Sequence, residues 1–414
     1  MDGASPAIAR DPTATDGARP RCGGLSVNAR IDVCRGLFAA LVVVAHALEV
    51  SWALHPAAAR ALPGPVRLWL SCTVGSGIYW VMGFFVISGY CIHLSAARLR
   101  DAGPFPLGVY LAARLSRILP LYYLALAFAV LVEWLIAPAR PGSWPNGLDG
   151  PTLLAQVFVV QELTQTFGSF APSWSITNEV FYYGLYGLLC FGAAGRGDRP
   201  MRVGLALCVA LATAMQVLYS TASHTPVVLS AGMLFGLGIN WFLGVFVAVH
   251  GRALARSRRG ARLARLWVPL LGLAVLWRSD SRLPAGGTFV LSGAAFTLLL
   301  IRFLRAGAPE RVAEPSPRVR EGIEWLGLSS YPMYLFHGPI LMLVGSALLR
   351  SGLVADWRVT WALLAAAGIA SGFALGFLAE KPIMDWRGAM LKRLKTGRPE
   401  PSRRISAAVL GTQR

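Results

Sequence analysis

The sequence is poor in charged residues. Charged side chains make up 14% of its 414 residues, apolar ones make up 55%, and the mean hydropathy is +0.55. About a quarter of the residues of an average soluble domain are charged. This composition excludes a disordered chain and argues against an ordinary soluble enzyme. Lysine is rare as well: the 39 basic residues comprise 36 arginines and only three lysines, Lys381, Lys392 and Lys395.

Cysteine is also scarce, and its spacing carries no motif. The six cysteines form neither a CxxC pair nor a zinc-site pattern, which predicts no disulfide framework and no metal site. Residues 1–30 lack the apolar core of a signal peptide and are expected to be a disordered cytoplasmic tail. A membrane domain is expected at 31–390 and a basic cytoplasmic tail at 391–414.

Long apolar runs are what the sequence has instead. A bilayer core about 30 Å thick requires roughly 20 apolar residues in helical form. Ten runs are candidates, at roughly 36–54, 74–94, 117–137, 175–194, 202–220, 227–250, 266–279, 287–304, 327–349 and 359–379. The run at 266–279 is short enough that a re-entrant segment would also fit it. The loop at roughly 138–174 includes an apolar stretch, Leu153 to Val160, that would suit an interfacial helix.

The net charge of +19 is explained by the positions of the cations. Nucleic-acid binders gather their charge on one folded face, whereas here it is scattered between apolar runs. With both termini inside, 32 of the 39 cations fall on the inner side of the ten runs and 7 on the outer side. The sequence therefore predicts an all-α, multi-pass protein of the cell inner membrane, with about ten transmembrane helices, cytoplasmic N- and C-termini and no nucleic-acid partner.

Ionisable side chains within membrane spans are costly, which makes each of them a functional candidate. Arg35 and His46 in the first run are eleven residues apart, about 20° more than three full turns, so they share one helix face about 16 Å apart. Glu49 follows on the same face. The alternative interpretation makes Arg35 a membrane anchor and His46 a packed core histidine.

The fourth run collects a carboxylate and phenols on one stripe. Glu179 has no basic neighbour within a helical turn and requires a partner on another helix. The stripe that it shares consists of Glu179, Tyr182, Tyr183 and Tyr186. Tyrosines near a membrane interface also form aromatic belts, which is the structural alternative.

Three further segments carry polar residues with two possible interpretations. Arg114 and Arg117 form an i, i+3 pair that either brackets a phosphate or only sets topology. Ser88 lies among small residues that either allow close helix approach or leave its hydroxyl free to donate. His337 lies beside an expected kink at Pro339.

Taken together, the segments resemble the acyltransferase 3 family of membrane acyl-group transferases. They occur in family order from about residue 30 to 390, and they are Arg35 to His46, Gly83 to Tyr90, Arg114 to Tyr123, Trp174 to Tyr183, Tyr331 to Pro339, and Glu380-Lys381-Pro382. The resemblance implies transfer of an acyl group, commonly acetyl, from a coenzyme A thioester to a carbohydrate hydroxyl. It also implies that Arg35 and His46 are essential.

The expected mechanism places acyl-CoA phosphates at the inner-face arginines and the thioester near His46. His46 would act as general base, oriented by Glu179 or Glu49, and Ser88 would donate to the oxyanion. The expected site consists of catalytic His46 and Glu179 and the binding residues Arg35, Ser88, Arg114, Arg117, Tyr182 and His337. No permanently bound cofactor is expected.

The acceptor stays open at this point. Exopolysaccharide, O-antigen or a lipid-linked sugar would fit the resemblance, and so would a small secondary metabolite such as a macrolide. A polysaccharide transporter or flippase is the main alternative from another functional class, although the chain lacks the paired halves that many transporters show.

Overall fold

A computed structural model describes residues 25–101, 103–136, 148–164, 166, 168–196, 198–221, 230–306, 315–352 and 356–396. Most of the two expected tails, 1–24 and 397–414, lies outside these ranges. Every regular element within them is helical. The α-helices are α1 Val27–Leu54, α2 Pro56–Ala61, α3 Gly64–Cys72, α4 Ile78–Asp101, α5 Leu107–Ile136, α6 Gly150–Val157, α7 Trp174–Ala193, α8 Asp198–Thr221, α9 Gly238–Arg256, α10 Arg258–Leu263, α11 Trp267–Ser279, α12 Ala285–Ala306, α13 Pro317–Ser351, α14 Trp357–Leu375 and α15 Lys381–Thr396.

Nine helical segments within the described ranges are long and apolar enough to cross a membrane. They match nine of the ten expected runs, which confirms an all-α, multi-pass membrane protein. The short run at 266–279 belongs to a longer segment of 22 residues, Arg258–Ser279. The run at 175–194 forms the 20-residue helix α7, which is not among the nine, because Asn178, Glu179 and its tyrosines lower its mean hydropathy. The orientation of the termini stays a prediction.

The first helix packs along α13 and α14, and α4 packs against α9 and α12. Small residues allow the α4–α9 crossing, as expected for the segment around Ser88. A Cβ on Gly89 would meet the Trp241 carbonyl, and one on Gly244 would meet the Val86 carbonyl. The two backbones therefore approach more closely than larger residues would permit.

Helices α1, α5 and α13 run parallel to one another. Gly327 on α13 faces Asp32 on α1, whereas Gly345 faces Val50. Helix α5 follows the same direction, because Tyr331 of α13 donates to Ile118 in the first half of α5, and Phe336, further along α13, contacts Phe128 in the second half. Helix α5 begins at Leu107, about ten residues earlier than expected, so Arg114 and Arg117 both lie inside it.

The segment before α7 folds back against the middle of α13. It contains the expected helix, observed as α6, and then short 3₁₀ turns at Gln161–Leu163 and Gly168–Ser173. The backbone N–H of Ser169 donates to Glu133 Oε1 at 2.7 Å. A Cβ on Gly338 would meet the Ser169 carbonyl, so glycine is required for this contact.

Candidate active site

A cavity of about 300 Å³ lies among α1, α4, α5, α7, α13 and α15. Five residues singled out from the sequence line it: Arg35, Ser88, Arg114, Arg117 and Glu179. The rest of its polar lining consists of Ser175, Tyr183, Ser330, Tyr331, Tyr334 and Arg387. Four guanidinium groups face one small cavity between membrane helices, so the cavity is suited to an anionic ligand.

Two of the arginines are held by partners on other helices or turns. Arg117 forms an ion pair with the fully buried Glu380, and its guanidinium lies 5.2 Å from the centre of the Tyr331 ring. Arg114 donates to Ser95 Oγ and lies over the ring of Tyr110. These contacts fix the direction of both guanidinium groups while leaving them on the cavity wall.

Arg35 differs from this pair. Its side chain is half-buried and lines the cavity, and among the described residues no group accepts a hydrogen bond from its guanidinium. Five N–H donors therefore stay available to a ligand. A planar fork of this kind binds a phosphate through paired donors.

Glu179 is the centre of a hydrogen-bonded cluster on one side of the cavity. Its Oε1 accepts from Ser88 Oγ at 2.9 Å and from the Tyr183 hydroxyl. Trp241 Nε1 donates to Ser88 Oγ at 3.3 Å. The Ser88 hydroxyl thus donates to Glu179, and its expected donation to an oxyanion stays a prediction.

Tyr182, which was expected to contact substrate, is not part of the cavity lining. Tyr182 is fully buried away from the cavity, and its hydroxyl donates to the Leu234 carbonyl at 2.7 Å. Its neighbour Tyr183 lines the cavity instead. One residue along a helix turns the side chain by about 100°, so only one of the two can face the ligand.

His46 pairs with a second histidine and not with a carboxylate. His337 Nε2 lies 3.2 Å from His46 Nδ1, and His337 Nδ1 lies 2.6 Å from the Tyr334 carbonyl oxygen. Glu179 bonds to Ser88 and Tyr183 as described, and Glu49 is exposed. The expected orientation of His46 by either glutamate is therefore replaced by a contact with His337.

The carbonyl acceptors determine where the imidazole protons lie. A carbonyl only accepts, so Nδ1 of His337 carries the proton that bonds to Tyr334 O. A neutral His337 then presents a bare Nε2, which accepts from Nδ1–H of His46. That same Nδ1 lies 3.0 Å from the Val42 carbonyl, a second acceptor for its proton. The pair leaves the lone pair of His46 on Nε2, the form required of a general base.

Tyr334 connects the cavity to the histidine pair. It lines the cavity beside Phe84, with 5.9 Å between the two ring centres, and its ring centre is also 5.9 Å from that of His337. His46 and His337 themselves are not part of the cavity wall. His337 is fully buried, so it contacts His46 and not a ligand in the cavity.

Two residues of this region, Arg387 and Glu162, were missed by the sequence reasoning, and Glu380 was noted only as part of the closing Glu380-Lys381-Pro382 segment. Arg387 lies near the C-terminal end of the helical bundle, where it resembles an ordinary topology charge. Glu162 follows α6, and burial raises the pKa of its carboxyl to about 8. The lack of a basic neighbour in sequence was the only available signal for Glu162.

Comparison with known protein families identifies the family of the chain. The family described as an acyltransferase domain, acyltransferase 3, matches residues 28–381. The chain belongs to the acyltransferase 3 family. The match covers nearly the whole chain, including every helix of the cavity except most of α15. No protein of curated function and no solved structure matches the chain. The protein is accordingly a multi-pass membrane acyltransferase.

Proposed function

We propose that this acyltransferase moves an acyl group, acetyl in the first instance, from acyl-CoA to a hydroxyl of a carbohydrate acceptor. The observation that carries the proposal is the juxtaposition of an arginine-lined cavity with the His46–His337 pair, joined by Tyr334. A CoA thioester combines phosphates with a reactive acyl group at the far end of a long arm. The two parts of the site suit those two ends.

The donor would place its phosphates against Arg35 and Arg114, and its pantetheine arm along Phe84 and Tyr334. Guanidinium groups match phosphate oxygens in geometry and charge. The aromatic rings supply an apolar path for the arm. We infer entry from the cytoplasm, because the positive-inside rule places the N-terminal ends of α5 and α13 on that side.

The chemistry follows from the proton positions of the histidine pair. Nε2 of His46 takes the proton of the acceptor hydroxyl as its oxygen attacks the thioester carbonyl. The carbon–sulfur bond then breaks, and the CoA thiolate takes the proton from His46, giving an ester and CoA thiol. His337 is a positioning residue, since its Nε2 holds the Nδ1 proton of His46 and stabilises the imidazolium that forms. Glu179 has no direct role in this proton transfer.

The acceptor is proposed to be a sugar of a surface or lipid-linked polysaccharide at the inner membrane. The support is the family, whose members generally transfer acyl groups to carbohydrates. A small hydroxyl-bearing metabolite would undergo the same chemistry at His46. Acyl analysis of surface glycans from a deletion strain and its complemented strain would identify a polysaccharide acceptor.

The proposal is tested by replacing His46 in purified protein. His46→Ala should abolish transfer from acetyl-CoA to a sugar acceptor while the protein stays monodisperse in detergent. The matched control is His250→Ala, because His250 is an exposed histidine in the last two turns of α9, does not line the cavity and packs its ring against Phe246. Near-normal activity of His46→Ala would remove the general-base role. Sugar uptake by proteoliposomes without any acyl transfer would favour a transporter.

A further inference from the structure

Arg387 is the fourth arginine of the cavity, and it comes from the C-terminal helix α15. Its guanidinium is fixed by two hydrogen bonds to a single acceptor. Nε and Nη2 donate to the Ala113 carbonyl at 3.2 and 2.8 Å. Arg387 is therefore held against α5 at the residue before Arg114, with both side chains on the cavity wall, and its Nη1 group is unbonded within the part of the chain that the structure describes.

The charges around Arg387 are incompletely balanced. Glu380 is taken by its ion pair with Arg117, and Glu179 accepts from two hydroxyl groups. No carboxylate in the described ranges forms an ion pair with Arg114 or Arg387. Two guanidinium groups repel each other at close range in a medium of low dielectric constant. An anion between them would remove that repulsion.

The position of Arg387 fits the far end of a long ligand. Tyr331 lies six residues before His337 on α13 and bonds to the Ile118 carbonyl on α5. Ala113 lies five residues further toward the start of that parallel helix. At 1.5 Å per residue, Arg387 is about 16 Å below His337 along the helix axes. Arg35 lies at a similar distance, about 16 Å, from His46.

We propose that Arg387 and Arg114 together bind a phosphate group of the acyl-CoA donor. This inference rests on the proposed function, because it assigns one end of the same donor. It gives the C-terminal helix α15 a part in donor binding that its place next to the basic C-terminal tail does not suggest. The phosphate is either the 3′-phosphate of the nucleotide or one of the two phosphates of the diphosphate. Both present anionic oxygens that a pair of guanidinium groups can bind.

The test compares Arg387→Gln with Lys381→Gln, using three donors of decreasing phosphate content. Lys381 lies on the same helix but is exposed, pairs with Asp385 and does not line the cavity. The donors are acetyl-CoA, acetyl-3′-dephospho-CoA and acetyl-pantetheine, which has no phosphate. Arg387→Lys is included as a variant that keeps the charge and reports on folding.

Arg387→Gln should raise the KM for acetyl-CoA roughly 10- to 100-fold, the range of a lost charged hydrogen bond, with little change in kcat. The KM for acetyl-pantetheine should not change. If Arg387→Gln has the same KM for acetyl-3′-dephospho-CoA as the parent protein, Arg387 binds the 3′-phosphate. If its KM for this donor is raised, Arg387 binds the diphosphate. An equal increase for acetyl-pantetheine, or an unchanged KM for acetyl-CoA, would overturn the inference.

Donor binding is also measured without catalysis, which separates this inference from the proposed function. Cys91 lines the cavity and is exposed, so maleimide labelling of its thiol reports occupancy. The assay uses a background in which Cys22 and Cys208 are serine. Acetyl-CoA should protect Cys91 in the parent protein at lower concentrations than in Arg387→Gln, whereas acetyl-pantetheine should protect both equally. That result without acyl transfer would refute the proposed function and leave the phosphate site standing. Equal protection of the parent and Arg387→Gln proteins by acetyl-CoA, in protein that still transfers acyl groups, would refute the phosphate site alone.

Discussion

The contact between His337 and His46 allows the effect of replacing His337, which does not line the donor cavity, to be predicted quantitatively. His337→Leu removes the acceptor of the His46 Nδ1 proton and fills the fully buried position with an apolar side chain. The imidazole of His46 then loses both its orienting partner and the group that stabilises its imidazolium. The Val42 carbonyl, 3.0 Å from the same nitrogen, still favours the reactive tautomer.

The contact of His46 with the Val42 carbonyl limits the expected loss of kcat. Complete loss of the correct tautomer in a hydrolase triad costs about 10⁴-fold in kcat, and a single buried hydrogen bond is worth about 1–3 kcal/mol. Since each 1.36 kcal/mol is tenfold in rate, kcat of His337→Leu should fall about 10- to 100-fold. The KM for acyl-CoA should stay unchanged, because His337 is not part of the cavity wall.

Steady-state kinetics with acetyl-CoA and a sugar acceptor would measure both constants. His337→Gln is the conservative variant, because its side-chain carbonyl can accept from Nδ1–H, and it should recover kcat to within about threefold. His55→Leu is the control, since His55 bonds to Thr360 between α1 and α14, away from the site. A normal kcat for His337→Leu would refute the positioning role. Equal losses for the Gln and Leu variants in well-folded protein would refute the acceptor argument.

Two further predictions concern folding. The raised pKa of Glu162, about 8, means that the folded protein holds a proton that the unfolded chain releases near pH 4.5, so stability falls as pH rises between these values. Glu162→Gln should therefore match the wild type in apparent Tm at pH 5 and exceed it at pH 8; equal values at both pH values would contradict this. Gly338→Ala should lower the apparent Tm, because its Cβ meets the Ser169 carbonyl and overpacking costs about 1–3 kcal/mol, whereas Gly322→Ala on the same helix meets nothing. A Gly338→Ala protein as stable as the Gly322→Ala control would contradict the contact.

Features that depend on one helix were predictable from the sequence. The relation between Arg35 and His46 requires only the helical period, and α1 is continuous from Val27 to Leu54. The membrane spans likewise follow from local composition. The segment at α7 departs from the expected pattern because polar residues collect on it, and polar residues in a membrane helix mark contacts within the protein.

Features that join distant segments were not predictable. His46 and His337 are separated by 291 residues, and no periodicity places one beside the other. The choice between Tyr182 and Tyr183 depends on which way α7 is rotated, and that is set mainly by its packing against α8, α5 and α4. Arg387 is one of nine cations near the C-terminus, and only the fold distinguishes it from the rest.

The separation between the arginines and the histidines limits the donor that the site can use. Arg35 lies about 16 Å from His46 along α1, and the pairing of α5 with α13 places Arg387 at a similar distance from His337. Helix α1 and the α5–α13 pair thus give the same distance between an arginine of the cavity and a histidine of the pair. A donor held by its phosphates must carry its acyl carbon across that length, as a pantetheine arm does. Acetyl phosphate, whose phosphate adjoins its acyl group, cannot meet both ends and should support no transfer when it replaces acetyl-CoA in the purified assay; turnover with acetyl phosphate would show that the arginines do not hold the donor.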